Sequence, residues 1–201
     1  NYAFHMALAE WNERNRADLS VMRERGVCSF KSYFAYDHLR LDDAETLELL
    51  EALKPLGGTL CVHCENGTLV DALQQRVYDA GIHGPEGHPL SRPAECEAEA
   101  ISRLLYLAHL AGDARVNVVH LSTKLGLEAI RAAKARGQKN IFVETCPQYL
   151  LLDDTCFLKD GQDGLEGLEF VMSPPPRKPA DRAALREALV NGEIDTIATD
   201  H

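Results

Sequence analysis

Four polar residues interrupt or close apolar stretches of this chain. Lys31 lies within VCSFKSYFAY (27–36), His63 falls at the end of GTLCVHC (58–64), His120 falls late in RVNVVHLS (115–122), and Asp200 follows IDTIAT (194–199). Imidazole and carboxylate are the usual ligands of zinc and similar ions. Each residue alone has an ordinary reading. A histidine late in a strand is commonly a hydrogen-bonded core residue, a strand lysine can snorkel to water, and an aspartate after a strand can cap a helix. Their joint placement at equivalent positions points to a site. His5, His38, His83, His88, His109 and His201 follow no such pattern. Cys61 and Cys64 match C-x-x-C, but no second pair stands at zinc-finger spacing, so a structural zinc or redox pair is the weaker reading.

The elements that must carry these residues alternate. The apolar runs above, with NIFVETC (140–146) and a shorter YAF (2–4), are rich in Val, Ile, Phe and Thr and short enough for strands. Between them the spacing predicts helices over 43–55, 67–80, 93–111, 123–136 and 179–190. Pro93 and Pro179 mark two starts; Gly57, Gly81, Gly112, Gly137 and Gly192 mark the ends. Repeated strand-helix-strand units imply a parallel sheet with crossover helices, either doubly wound or a (β/α)8 barrel. Neither the Rossmann G-x-G-x-x-G nor the Walker loop is present. Six strands are too few to close an eight-stranded barrel, so a barrel here would be incomplete. In such a barrel the carboxyl ends of the strands converge on one face, where the chemistry is done.

Composition narrows the function classes. The 201 residues include 21 Lys+Arg against 31 Asp+Glu, a formal charge of −10, which argues against a partner held by phosphate neutralisation such as nucleic acid. No apolar run is long enough to span a membrane, and the first residues lack a signal-peptide core. Six cysteines without a secretion signal read as reduced thiols of a cytoplasmic enzyme.

Eight stretches, in order, carry a resemblance. They are Tyr2-x-Phe-His5, Ser29-Phe-Lys31 with Ala35-Tyr36, Val62-His63-x-Glu-Asn66-Gly67, the loop GPEGHPLSRPAECEAEA, Val119-His120-Leu-Ser122-Thr, Glu144-x-Cys-Pro-Gln-Tyr149-Leu, Met172-Ser-Pro-Pro-x-Arg177 and Thr199-Asp200-His201. Together they span the chain, which closely resembles the hydantoinase/dihydropyrimidinase branch of the metal-dependent amidohydrolases. The resemblance implies an amidohydrolase-type (β/α)8 barrel, with residues 1–201 covering about its strands three to eight. The first two strands and a flanking β-domain would lie upstream of Asn1. It also implies two divalent metal ions, zinc in most members, bridged by Lys31 carboxylated at its amine. An ammonium cannot ligate a cation, whereas a carbamate offers oxygens as a carboxylate does. His63 and His120 would hold the more exposed ion and Asp200 the buried one. Asp200 would act as general base and then acid. Tyr36 would stabilise the oxyanion, and Ser173, through its backbone, would help hold the edge of a cyclic imide or ureide.

The activity so implied is the opening of a dihydropyrimidine or 5-substituted hydantoin ring to an N-carbamoyl amino acid. Allantoinase-like and dihydroorotase-like hydrolysis, and a non-catalytic dihydropyrimidinase-like scaffold, are the alternatives. The family's His-x-His pair, which completes the buried metal site, is absent from this sequence. We therefore expect the 201 residues alone to be inactive and poorly stable. The family's common homotetramer is the expected assembly.

Overall fold

A computed structural model describes residues 2–158 and 166–200. Six strands form one parallel sheet in sequence order: β1 (His5–Ala7), β2 (Ser29–Tyr33), β3 (Thr59–His63), β4 (Val116–Val118), β5 (Ile141–Thr145) and β6 (Thr196–Ile197). The register pairs Lys31 with both Ala7 and Cys61, and Tyr33 with His63. Among the described residues β1 and β6 do not pair with each other, so the sheet is an open arc of a (β/α) barrel and not a closed one.

Alternation along the strands separates two environments. Phe30, Leu60, Val62, Val116, Val118, Ile141 and Val143 enter one buried core with the helices. Lys31, Tyr33, Cys61 and Glu144 point the other way, into a cavity of about 310 Å³ that His5 and Asp200 also line. A polar chain crosses that inner face: His5 Nδ1 is 2.6 Å from Ser29 Oγ, which is 3.3 Å from Cys61 Sγ. The two cysteines of the C-x-x-C are thus divided, Cys61 towards the cavity and Cys64 in the core, and both are free thiols.

The helices are α1 (Glu13–Glu24), α2 (Asp43–Leu53), α3 (Gly67–Asp79), α4 (Gly87–Ser91), α5 (Ala94–Leu110), α6 (Lys124–Ala135), α7 (Pro147–Leu151) and α8 (Pro179–Val190). The five expected helices are present, with ends within two residues of those read from the sequence. Four begin on a capping side chain, among them α1, where Asn12 accepts from Asn15 N–H. Asp42 and Glu45 form a reciprocal capping box on α2, Asn66 accepts from Leu69 N–H on α3, and Thr123 accepts from Gly126 N–H on α6.

Two expectations need correction. The first strand is His5–Ala7 and not Tyr2–Phe4. Tyr2 and Phe4 are largely exposed, and the ladder to β2 starts at His5. The segment after β1 forms α1, where the sequence pattern predicts no helix. Half of its residues are charged and only Leu19 is buried, so it lacks an apolar stripe. Among the described residues no helix is long and apolar enough to cross a membrane.

Candidate active site

The two histidines meet. β3 ends at His63, β4 is followed by His120, and Nδ1 of the first lies 3.0 Å from Nε2 of the second. Both rings are almost fully buried. His120 sits at φ 43°, in the left-handed region where a non-glycine residue is unusual. That turn is held in place by its neighbour, because Leu121 N–H donates to Glu144 C=O at 2.7 Å.

Hydrogen bonding fixes which nitrogen of His63 carries hydrogen. Nε2 lies 3.0 Å from Glu65 Oε2. His63, Arg92 and Arg177 hold the Glu65 carboxyl below its usual range despite the opposing effect of burial. An ionised carboxylate only accepts, so His63 Nε2–H donates to Glu65, while Nδ1 faces His120 Nε2. Burial, His63 and Lys31 together push the His120 imidazolium well down, so that ring is neutral.

This geometry suits a shared cation. Two nitrogens ligating one zinc ion at about 2.0–2.1 Å stand roughly 3.3–3.4 Å apart at the tetrahedral angle. The observed 3.0 Å requires only a small opening of the pair. A metal-ligating histidine usually donates its other N–H to a carboxylate or carbonyl, the arrangement Glu65 provides.

Lys31 and Asp200 line the same cavity on the inner face. Burial lowers the Lys31 ammonium from its usual range, while Asp200, Cys61, Cys64 and Glu144 pull it back up. Asp200 also occupies the left-handed region, at φ 53°, and is exposed. The four residues singled out in the sequence therefore fall into a buried histidine pair and a Lys31–Asp200 cavity. Among the described residues no three His, Cys, Asp or Glu side chains gather as a ready metal cluster. An amine carries no anionic oxygen, so Lys31 as it stands contributes nothing to such a count.

Tyr36 and Ser173 are brought together from distant parts of the chain. Tyr36 follows β2 at φ 69°, and its ring centroid lies 5.1 Å from that of His63. Burial raises its phenol, opposed by a side-chain hydrogen bond to Ser173 and by Arg92. The Ser173 loop is anchored on both sides. His88 Nε2–H donates to Met172 C=O at 2.8 Å, and Tyr149 O–H donates to Pro174 C=O at 2.7 Å. His201, the last residue of the eighth stretch, lies outside the described residues.

The charged group behind the histidines, Glu65, Arg92, Glu97 and Arg177, has no role assignable from the sequence alone, and all four are nearly or fully buried. The available signal was Glu65 two residues past His63 and Arg177 after a proline run. Both look like ordinary surface charges until the fold encloses them.

No protein-family model matches the chain. Individual proteins do. The chain is 40% identical over 201 residues to a D-phenylhydantoinase of Escherichia coli O9:H4 (strain HS), covering all of the chain and 42% of that protein. It superposes on a D-hydantoinase (dihydropyrimidinase) from Thermus sp. with TM-score 0.93 and 39% identity, over 100% of the chain and 43% of that one. A dihydropyrimidinase from Brevibacillus agri NCHU1002 gives TM-score 0.94 and 37% identity over the same 100% and 43%. The chain thus spans less than half the length of the relatives it matches. The inward face of the open arc, its paired histidines and this likeness agree: along all 201 residues the chain is similar to members of the hydantoinase/dihydropyrimidinase family.

Proposed function

We propose that the protein hydrolyses a cyclic amide, opening a dihydropyrimidine or 5-substituted hydantoin ring to an N-carbamoyl amino acid. The observation that carries the reading is the buried His63–His120 pair, 3.0 Å apart, beside a cavity lined by Lys31 and Asp200. Names of relatives support the reaction class: D-phenylhydantoinase, D-hydantoinase and dihydropyrimidinase.

His63, His120 and Asp200 would hold divalent metal, zinc in this reading, and Lys31, carboxylated at its amine, would add an anionic oxygen ligand. Bound there, the metal supplies Lewis acidity at the carbonyl and lowers the pKa of water towards neutral. The residues of the chain do the rest. Asp200 takes a proton from the attacking water and returns it to the departing ring nitrogen. Tyr36 keeps its hydroxyl hydrogen at working pH, since its phenol is raised, and donates it to the developing oxyanion. Ser173, through its backbone and beside Tyr36, holds the amide edge of the ring. Carboxylation of Lys31 requires the neutral amine, and burial shifts Lys31 in that direction. We place the enzyme in the cytoplasm and as a homotetramer, with residues 1–201 forming part of its barrel domain.

The test is ring opening of dihydrouracil and of a 5-substituted hydantoin by protein expressed from the complete reading frame, with Zn2+ and bicarbonate supplied. Expected are an N-carbamoyl amino acid product and near-complete loss in Lys31→Ala and Asp200→Asn. Tyr36→Phe is expected to lower kcat by roughly 10²–10³-fold, the effect of removing one oxyanion donor. A zinc-loaded, folded protein that opens neither ring overturns the reading.

A further inference from the structure

Behind the histidine pair lies a charged group that no step above uses. Glu65 is fully enclosed, and Arg92 and Arg177 are nearly so. Glu65 Oε2 accepts from His63 Nε2–H at 3.0 Å and from Arg92 Nη1 at 2.5 Å, and Oε1 lies 3.7 Å from Arg177 Nη2. Arg177 then reaches further. Its Nε donates to Ser122 Oγ at 2.9 Å, and its Nη1 donates to the Arg92 carbonyl. Ser122 passes the connection on, donating from N and Oγ to Glu97 Oε1 at 3.0 and 2.7 Å.

The sequence positions give this chain of contacts its meaning. Glu65 stands two residues past His63, and Ser122 stands two residues past His120. Arg177 bridges these equivalent positions beyond the ends of β3 and β4. It comes from the same short loop as Ser173. One planar guanidinium therefore spans the two strand ends that carry the histidines, a geometry an ammonium could not reproduce. Arg92 and Arg177 both face the buried Glu65 carboxylate, so its charge is met by opposite ones.

We propose that Glu65 and Arg177 are positioning residues that staple His63 and His120 into a preset pair. Glu65 fixes His63 as its Nε2–H tautomer, and Arg177 ties Glu65 to Ser122, which fixes the end of β4. The separation of the two ring nitrogens is thereby set before any cation arrives. The inference rests on the metal-dependent reading above, in which the pair holds one ion. Outer partners of this kind tune both the orientation and the basicity of a ligating imidazole.

The experiment uses metal-free full-length protein, titrated with Zn2+ against a chromophoric chelator. The tautomer of His63 is read in parallel from a ¹⁵N-histidine correlation spectrum without metal. Glu65→Ala is expected to weaken Zn2+ binding about 10–100-fold and to give mixed His63 tautomers. Glu65→Gln keeps an acceptor oxygen but no charge. It is expected to recover most of the affinity and the single Nε2–H tautomer. Were Glu65 only balancing the arginines, Gln would be as damaging as Ala, and that result overturns the proposal.

Glu65→Ala strands two buried guanidinium groups and can fail to fold, so Ser122→Ala forms a second arm. It removes only a hydroxyl and cuts the tie to β4, with about a tenfold loss of Zn2+ affinity expected. Wild-type affinity in Ser122→Ala overturns the staple. If the unaltered protein takes up no Zn2+ that His63→Ala removes, the metal reading fails instead. The spectrum then decides alone: a single Nε2–H tautomer lost in Glu65→Ala upholds the staple, and any other pattern overturns it.

Discussion

Glu97 sits on the core face of α5, fully buried, and accepts from Ser122 and from Thr123 Oγ. Burial pushes its carboxyl above the usual range, against the pull of Arg177 and these donors. The native state therefore holds this proton more tightly than the unfolded chain, whose value is about 4.3. Where the native state binds more protons, stability falls as pH rises, so Glu97 weakens the fold progressively from about pH 4.3 upward through its raised value. Glu97→Gln removes that contribution and keeps an acceptor for Ser122. Urea unfolding from pH 4 to 7 is expected to show a flatter decline, or a steeper gain, in stability for the variant than for the unaltered protein. Parallel profiles would contradict the assignment. The same residue explains what was hidden in the sequence. Lys31, His63, His120 and Asp200 stood out because they break apolar runs. Glu97, Glu65, Arg92 and Arg177 lie in polar surroundings, where nothing separates a buried charge from a solvated one until its partner is known. Arg177 is 55 residues from Ser122 in sequence and 2.9 Å away in the fold.

Elements were legible to the extent that apolar periodicity and end signals agreed. α5 buries Cys96, Ala100, Ile101, Leu104, Leu105 and Ala108 along one face, and α8 runs from Pro179 to the residue preceding Asn191 and Gly192, as its sequence predicts. α1 escaped because a single buried leucine sets no period. α4 and α7, five residues each, are too short to show one. The close approach of α5 and α6 was equally invisible, and it depends on Gly126. A Cβ there would stand 2.8 Å from Ile101 Cδ1 and from Leu121 Cδ1, and 3.0 Å from Glu97 Oε2. Alanine favours an exposed helix interior by up to about 1 kcal/mol over glycine. Overpacking a tight core costs typically 1–3 kcal/mol, so the crowding wins. Gly126→Ala is expected to lose about 1–2 kcal/mol of unfolding free energy in a denaturant titration. A neutral or stabilised variant would show that α6 slides away from α5 at no cost. Because Leu121 follows His120 directly, such a slide would also move the end of β4.

For the molecule as a whole, the decisive feature is the open arc. Among the described residues β1 pairs only with β2 and β6 only with β5, so each leaves one row of backbone donors and acceptors without a strand partner. The alternation of strands and helices, with too few strands for closure, made this readable from the sequence. The register did not follow, because β1 and β6 contain only three and two paired residues. An open edge is a template for pairing with another copy unless charge or proline blocks it. β6 has no such block: Thr196 and Ile197 are exposed, and the Ile197 side chain adds apolar surface to the edge. The formal charge of −10 opposes association over long range, but at 0.15 M salt it is screened beyond about 8 Å, too short a reach to keep two edges apart. A preparation of the 201 residues alone is therefore expected to self-associate with rising concentration in sedimentation velocity, more so at high salt. Ile197→Lys places a charge on the edge and is expected to shift the distribution towards monomer. Its backbone pairing of Thr145 with residue 197 needs no particular side chain, so helix content by circular dichroism should stay the same. A concentration-independent monomer, or a variant that associates as strongly, would mean that the edges are shielded by something other than strand pairing.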